Sequence, residues 1–449
     1  MKLCVLRLQM PLLTMEHRYS TTNSMKRHYP FLLLVLSLPL VADEGNFEFA
    51  TALCQPGQIC IVREPQVNGY WKTRGALSEL PKYNPASEQL WQVDLRSRDI
   101  SKCKLEGRTN DLVQADFDSA TKWPERHPSD FSPEKIMELG KNPGLRVHEL
   151  HHQEIDGRGV GIGIIDQPLL VSHVEYKDRL KLYEEIHSEK NAPAVMHGPA
   201  VASIAAGKNV GVAPAALLYY IAEMHTTPPK KNGKWEFDLD SVTKSIDRLI
   251  EINKLLPSDK KMRVISLSLG INSKMNGYKA VKEAIERARE NNIYVVYVGS
   301  DPFSGSDRLT NADPDKFESV RRGKFWGMHD YDNNKILIPM DSRTTAAPTG
   351  NNDYAYYSNG GLSWAVPYVA GLYALTCQVY PDITPELFWK VAFETSVTTK
   401  VEGEKYSELG KITNPAGLIA AVKTRSKKST GLLAPQHPPT SKLSEQSHN

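Results

Sequence analysis

The chain contains the stretch Asn359-Gly-Gly-Leu-Ser-Trp-Ala-Val-Pro-Tyr-Val-Ala-Gly371, in which a glycine pair, Gly360-Gly361, is followed by Leu362 and Ser363. An apolar run with the composition of a buried helix follows, from Trp364 to Tyr380. Glycine permits backbone angles and close approaches that a Cβ atom would forbid. The free N–H groups and positive dipole end of a helix N-terminus suit an alkoxide nucleophile and the oxyanion that it forms. Ser363 is therefore a candidate nucleophile, and the alternative is a simple helix cap.

Apolar runs and helical patterns alternate from Gly157 onward. Four continuous apolar runs are typical of strands buried on both faces: 160–165, 217–222, 264–269 and 293–298. Helical patterns lie between and after them: 200–206, 239–256, 278–291, 364–380 and 385–394. Strands joined by single helices imply right-handed crossovers. The sequence therefore predicts an α/β fold of three layers, with a mostly parallel central sheet and helices on both faces.

Two polar residues of this region stand where open parallel sheets bind ligands. Asp166 ends the first apolar strand, so its carboxylate faces the crevice at the carboxyl edge of the sheet. His197 begins a helix of small residues that can pack closely on the sheet. Singly, a strand-end aspartate is more often a loop cap, and a lone histidine is more often structural. Together with Ser363, however, they follow the chain order Asp, His, Ser of one class of serine hydrolases.

With these motifs the sequence resembles the subtilisin-like serine proteases (subtilases, peptidase S8 family) over about residues 157–395. His197-Gly198 matches the histidine motif, although Pro199 replaces the usual threonine, and Leu362 replaces a threonine before Ser363. His173 corresponds to a structural histidine of the family. The resemblance implies a serine endopeptidase that works through an acyl-enzyme. In it, Ser363 attacks the peptide carbonyl, His197 transfers the proton, and Asp166 orients the imidazole.

The resemblance also extends to residues that would contact the substrate. Ser268, Leu269 and Gly270 match the strand that pairs main chain to main chain with an extended peptide. The family usually supplies an oxyanion-hole asparagine after a strand such as 293–298, but here Ser300 or Asp301 stands in that position. A serine could still donate a hydrogen bond, whereas an ionised aspartate would repel the oxyanion. The alternative function is therefore a weak or inactive pseudoprotease that binds peptides in the same cleft.

Composition limits the partners. The formal charge of +3 is too close to neutral to indicate nucleic acid or an acidic membrane. No Cys or His cluster has zinc spacing, so no metal ligand is assigned. The family resemblance implies a polypeptide substrate. Calcium is frequent in the family, but no cofactor is assigned here, and the sequence carries no signal for an oligomeric state.

The N-terminus has the pattern of a targeting sequence. A basic region at Lys26-Arg27-His28 precedes an apolar run, Phe31 to Val41, and the small residue Ala42. The run is shorter than the roughly 20 residues that a membrane-spanning helix needs. We therefore expect a signal peptide over residues 1–42, no stable membrane span, and export of the protein, with Met15 or Met25 as alternative starts.

The remaining chain divides into three predicted parts. Residues 43–104 form an N-terminal segment, either a propeptide or a small accessory domain, in which 90–95 alternates like a strand. Residues 105–423 form the peptidase domain, with a helix at 133–139 capped by Ser132. Residues 424–449 are predicted to be disordered. In an oxidising compartment Cys54 and Cys60 would form a small disulfide loop, and Cys377 would be a buried thiol.

Overall fold

The structure is a computed structural model of the 449-residue chain. It describes residues 49–69, 74–87, 89–226, 236–323, 334–400 and 408–431. The predicted signal peptide lies outside these residues, as does the tail beyond residue 431. The helices are α1 Thr109–Leu112, α2 Pro133–Lys141, α3 Val147–His152, α4 His197–Ala206, α5 Asp240–Leu255, α6 Tyr278–Glu290, α7 Leu362–Val379, α8 Pro385–Thr395 and α9 Pro415–Gly431.

The strands among the described residues form three sheets. They are β1 Phe49–Ala52, β2 Phe117–Asp118, β3 Gly161–Asp166, β4 Leu180–Glu189, β5 Leu217–Ala222, β6 Met262–Gly270, β7 Tyr294–Val298, β8 Phe303–Arg308, β9 Val320–Arg322, β10 Ile336–Pro339, β11 Arg343–Ala346, β12 Tyr354–Tyr357, β13 Val397–Lys400 and β14 Glu408–Ile412. The central sheet has the order β1-β4-β5-β3-β6-β7. All its pairs are parallel except β1 with β4. The predicted α/β fold with a mostly parallel sheet is thus confirmed.

Helices cover both faces of this sheet. Helix α5 packs on α6 and contacts β3 and β4, while α4 packs on α7 and α7 contacts β6 and β7. Strand β3 is buried along its whole length, as its continuous apolar sequence requires between two helical layers. The layers place the start of α4, the start of α7 and the end of β3 around one region of the sheet.

The predicted core elements agree with the structure to within about three residues at each end. Ser132 caps α2 by accepting from Lys135 N–H, and Thr384 caps α8 by accepting from Leu387 N–H. The disulfide Cys54–Cys60 is formed, and Cys377 is buried and free.

Several features differ from the sequence predictions, and three of them have a clear physical reason or partner. Residues 90–95 form no strand and pair only through an isolated bridge between Asp94 and Asp116. Helix α9 continues past Thr424 to Gly431, because the apolar side of its first part is anchored in the core by Leu418 and Val422. Strand β4 was not predicted, since two glutamates interrupt its apolar pattern. Both are buried as partners of arginines: Glu184 binds Arg248 and Glu185 binds Arg63.

The N-terminal segment packs into the rest of the chain. Strand β1 and Ile61 add to the outer side of β4. Just beyond the segment, β2 pairs antiparallel with β12. One hydrophobic cluster joins residues from both sides of the predicted boundary at 104: Leu80, Val93, Leu95, Ile100, Cys103, Leu105, Leu112, Ala115, Phe117, Phe131, Ile136 and Tyr356. Strand β12 leads directly to the glycine pair before Ser363, so this cluster borders the candidate site.

The search for membrane spans covered the described residues. None of their helices is both long enough and apolar enough to cross a bilayer.

Candidate active site

The glycine pair that precedes Ser363 is shaped by two different requirements. Gly361 has a φ of 99°, a region that side chains with a Cβ rarely adopt. At Gly360 a Cβ would lie 2.2 Å from the Met340 carbonyl oxygen, so this position requires close approach of backbone to backbone. The buried carboxylate of Asp341 accepts hydrogen bonds from Gly360 N–H at 2.7 Å and Gly361 N–H at 3.3 Å. The turn therefore presents Ser363 in the first turn of α7.

The first turn of α7 is tied to strand β6. Pro367 lies inside α7 and has no N–H, so it cannot donate to the carbonyl oxygen of Ser363, four residues earlier. The hydroxyl of Ser268 donates to that oxygen instead, at 2.8 Å. The Ser363 hydroxyl lies 3.5 Å from the Ser268 carbonyl oxygen. Within the described residues it makes no hydrogen bond to His197, a contact that is often long before substrate binds.

Asp166 and His197 are in direct contact. Nδ1 of His197 lies 2.7 Å from Oδ1 of Asp166, which also accepts the Gln167 N–H at 2.8 Å. The Asp166 side chain is fully buried and His197 is 5% exposed. A carboxylate acceptor at Nδ1 selects the tautomer that carries its proton there, so Nε2 keeps its lone pair as a base.

Two contacts between aromatic rings link His197 to the helix that carries Ser363. The ring centroids of His197 and Trp364 are 5.3 Å apart, and Tyr357 meets Trp364 edge to face at 5.4 Å. Trp364 is buried next to Ser363 in the sequence. The side chains predicted to form the triad thus occupy one region of the fold.

A second carboxylate–histidine pair follows β5, the neighbour of β3. Glu223 donates its backbone N–H to the carbonyl oxygen of Asp166 at 2.8 Å, and its carboxylate contacts Nδ1 of His225. Burial disfavours the imidazolium and is the largest single effect, but the charge of Glu223, its hydrogen bond to His225 and the charge of Asp166 together raise the pKa of His225. A protonated His225 would therefore interact electrostatically with the Asp166 carboxylate.

His173 has the structural position that the sequence suggested. It is fully buried, its Nε2 lies 2.9 Å from the Asp353 carbonyl oxygen, and its Nδ1 accepts the Glu175 N–H at 3.2 Å. Burial lowers the pKa of His173. In a neutral imidazole whose two nitrogens are both bonded to backbone groups, neither nitrogen is available to accept a proton from a substrate.

The predicted substrate strand ends β6. Neither neighbouring strand pairs with Ser268 or Leu269, because the register with β3 stops at Leu267 and that with β7 jumps from Leu267 to Gly270. An extended peptide could use main-chain groups at this edge. Leu269 itself is 5% exposed, so its side chain faces the interior.

Ser300 and Asp301, the candidate oxyanion residues, are both bonded within their own turn. The Ser300 hydroxyl accepts the Tyr297 N–H at 3.1 Å, lies 2.8 Å from the Tyr297 carbonyl oxygen and contacts the Asp301 carboxyl. Asp301 also bonds the Tyr294 hydroxyl, which accepts from Trp389 Nε1 at 3.0 Å. Burial raises the pKa of Asp301 against these hydrogen bonds. Among the described residues, neither side chain bonds Ser363.

Comparison with known proteins agrees with this geometry. The sequence model of the Subtilase family matches residues 157–411, more than half of the chain. The chain belongs to the subtilase family. Subtilases of this family are serine proteases, so the match supports a serine protease function and a polypeptide substrate for this chain.

Two curated proteases show how distant the relationship is. Subtilisin DY of Bacillus licheniformis is 26% identical over 258 residues, which cover 54% of this chain and 85% of that protein. A thermostable alkaline protease of Halalkalibacterium halodurans is also 26% identical, over 256 residues, and the chain spans 63% of its length. Among solved structures, a prenylagaramide maturation protease matches 62% of this chain with a TM-score of 0.43 and 15% identity, a likeness too weak to support a further statement.

The described residues of this subtilase do not fit a side-chain metal site. Within them, no group of three or more His, Cys, Asp or Glu side chains converges on a point where an ion could bind.

Sequence reasoning missed two residues that shape the site. Asp341 follows β10 and holds both glycines of the serine turn, and Asp116 accepts the Ser358 N–H at 2.7 Å. Neither stands in a motif, and Asp116 is 242 residues from its partner. The signal in each case would have been a single aspartate outside any motif, which is too common to single out a site.

Proposed function

We propose that this subtilase is a serine endopeptidase that hydrolyses peptide bonds through Asp166, His197 and Ser363. The observation that carries the proposal is the buried contact of 2.7 Å between His197 Nδ1 and Asp166 Oδ1, beside helix α7, whose first turn contains Ser363. Replacing a buried pair of this kind by apolar residues of similar volume is often neutral or stabilising, so a contribution to stability does not explain the contact.

The residues have distinct roles in this mechanism. His197 Nε2 takes the proton of the Ser363 hydroxyl as Oγ attacks the substrate carbonyl, and later gives that proton to the leaving amine. Asp166 fixes the tautomer and stabilises the imidazolium that forms between these steps. The backbone N–H of Ser363, in the first turn of α7, is a donor for the oxyanion. Water then hydrolyses the acyl-enzyme at Ser363 with His197 again acting as base.

The substrate is an extended polypeptide that pairs with Ser268, Leu269 and Gly270. The unpaired edge at Ser268 and Leu269 supports this placement. Export of the protein is part of the same proposal: the Cys54–Cys60 disulfide is typical of an oxidising compartment, and the basic and apolar pattern of residues 26–42 is that of a signal peptide.

The proposal is tested with a fluorophosphonate probe, which reacts only with an activated serine. We expect the full-length protein to be labelled at Ser363 and Ser363→Ala to be unlabelled while unfolding at the same denaturant concentration. Asp166→Asn should label at least about 1000-fold more slowly, because the wrong tautomer is then favoured. Labelling that persists in Ser363→Ala would refute the assignment of the nucleophile.

One observation favours the second candidate, a peptide-binding pseudoprotease. The Ser300 hydroxyl and the Asp301 carboxyl are bonded to Tyr297 and Tyr294, so neither offers the donor that the family usually places at the oxyanion. A wild-type protein that binds a peptide but resists the probe at all pH values from 6 to 9 would establish this alternative.

A further inference from the structure

We propose that residues 74–118 remain in the mature protein as a brace that positions Ser363, with Asp116 and Trp91 as positioning residues. The inference rests on the proposed peptidase function, since it concerns the reactivity of the same serine. The word brace is used below for the described residues of 74–118.

The brace holds the backbone immediately before the glycine pair. The Asp116 carboxylate accepts the Ser358 N–H at 2.7 Å, and the Gln114 carbonyl oxygen accepts the Ser358 hydroxyl at 2.8 Å. Trp91 Nε1 donates to the Asn359 carbonyl oxygen at 3.3 Å. Asp116 is completely buried, so an acceptor lost at this position could not be replaced by bulk water.

The opposite side of the turn is held by the peptidase core. Asp341 accepts the N–H groups of Gly360 and Gly361. Residues 358–361 therefore have successive main-chain groups fixed from two sides, and neither side alone defines the turn. Ser363 follows two residues later, at the second position of α7.

The brace also reaches His197 through aromatic rings. The Arg96 guanidinium lies 5.1 Å from the ring centroid of Tyr357, and Asp94 holds that guanidinium by two hydrogen bonds of 2.8 and 3.0 Å. Tyr357 packs on Trp364, and Trp364 packs on His197. A shift of Arg96 would therefore be transmitted to both catalytic groups.

Removal of the segment before residue 105 would dismantle this arrangement. Leu80, Val93, Leu95, Ile100 and Cys103 are at most 5% exposed and share one cluster with residues of the peptidase domain. Their loss would expose Phe117 and Tyr356, which pair across β2 and β12 beside the serine turn. Release of the segment as a propeptide would thus remove residues that support the turn before Ser363. The segment is therefore a permanent part of the enzyme.

The test compares variants of the full chain that change either the contact to the turn or the brace alone. Asp116→Ala removes the acceptor of Ser358 N–H, and Asp116→Asn retains an oxygen that can accept it. Trp91→Phe keeps the ring but loses the donor to Asn359. Asp111→Ala is the matched control: it breaks bonds to Arg108 and Tyr83 within the brace and contacts no residue of the turn.

The first readout is the rate constant of fluorophosphonate labelling at Ser363. We expect a decrease on the order of 10- to 100-fold in Asp116→Ala, because a displacement of about 1 Å costs that much in an aligned reaction. Trp91→Phe should decrease the rate severalfold, whereas Asp116→Asn and Asp111→Ala should stay near wild type. Equal rates in Asp116→Ala and Asp111→Ala would overturn the positioning role.

Two further readouts keep the test independent of catalysis. Hydrogen exchange of the peptide containing Ser358 should accelerate in Asp116→Ala and not in Asp111→Ala; equal exchange in both would overturn the brace even if the wild type resists the probe. If the probe does not label the wild-type protein, the proposed peptidase function is refuted, whereas the brace is still tested by hydrogen exchange. Intact mass of the labelled wild-type chain should include residues 49–104, and a labelled chain without them would show that the segment is dispensable.

Discussion

The hydroxyl of Ser268 donates a 2.8 Å hydrogen bond to the main-chain carbonyl oxygen of Ser363. That oxygen lacks its helical donor because Pro367, four residues later in α7, has no N–H. The residue that the family resemblance assigns to substrate binding therefore also anchors the helix of the candidate nucleophile. A serine at this position of β6 satisfies a carbonyl group that the proline leaves open.

This relationship predicts a dependence of one substitution on the other. Ser268→Ala should lower the free energy of unfolding by about 1 kcal/mol, because the half-buried Ser363 carbonyl oxygen loses its donor. In a Pro367→Ala background the restored N–H can bond the Ser363 carbonyl, so the same substitution should cost clearly less. A double-mutant cycle in urea measures the coupling. Additive effects of the two substitutions would show that Pro367 does not create the need for Ser268.

Substitution of either glycine before Ser363 by alanine should disturb the turn, but for a different physical reason at each position. Gly360→Ala would place a Cβ against the Met340 carbonyl oxygen, and Gly361→Ala would force alanine to adopt a φ of 99°. We expect each to slow probe labelling by at least about tenfold, because each displaces the turn before Ser363.

Gly57→Ala is the control for backbone strain alone. Gly57 has a φ of 78° with no atom within 4 Å of an added Cβ, and it lies in the disulfide loop. The control should lose about 1–2 kcal/mol of stability and label at the wild-type rate. Wild-type labelling in Gly360→Ala or Gly361→Ala would mean that the turn tolerates displacement.

The α/β core was predictable because its signals are local. Apolar runs such as 160–165 and helical periods such as 278–291 reflect burial on one element at a time, and the three motifs stand on such elements. Strand β4 escaped prediction because Glu184 and Glu185 are neutralised by Arg248 and Arg63, which lie far away in the sequence. The contact between Trp91 and Asn359 spans 268 residues and follows from no periodic pattern.

The free energy of unfolding should depend on pH in part through the titration of His173. Burial holds the folded-state pKa of His173 below that of the unfolded chain, which is about 6.5. As the pH falls, the unfolded chain takes up this proton first, so the contribution of His173 is complete above about pH 6.5 and is lost below it.

His173→Gln removes that titration, so its free energy of unfolding should fall less steeply than that of wild type between pH 7 and pH 5. Burial also lowers the pKa of His148 and His151, which therefore contribute an equal background to both proteins. Identical slopes for wild type and His173→Gln would contradict the prediction.

Asparagine should change the acylation rate differently at Ser300 and at Asp301, because the two side chains have different partners. The Asp301 carboxyl faces Tyr294 and Trp389, and an asparagine there would keep those partners. The short Ser300 side chain fits against the Tyr297 backbone, and a longer asparagine would have to leave that position and point out of the turn. Ser300→Asn should therefore supply the donor that the family usually provides, while Asp301→Asn should not.

A new donor that binds only the developing charge raises kcat with little change in KM, since it stabilises the transition state and not the bound substrate. The upper limit is about 100- to 1000-fold, the loss seen when such a donor is removed. Single-turnover acylation by a peptide ester, measured for Ser300→Asn, Asp301→Asn and wild type, distinguishes the cases. A faster Asp301→Asn would show that the carboxyl turns toward the oxyanion during the reaction. If neither variant is faster than wild type, another group already donates to the oxyanion, and the turn at 297–301 is not what limits the rate.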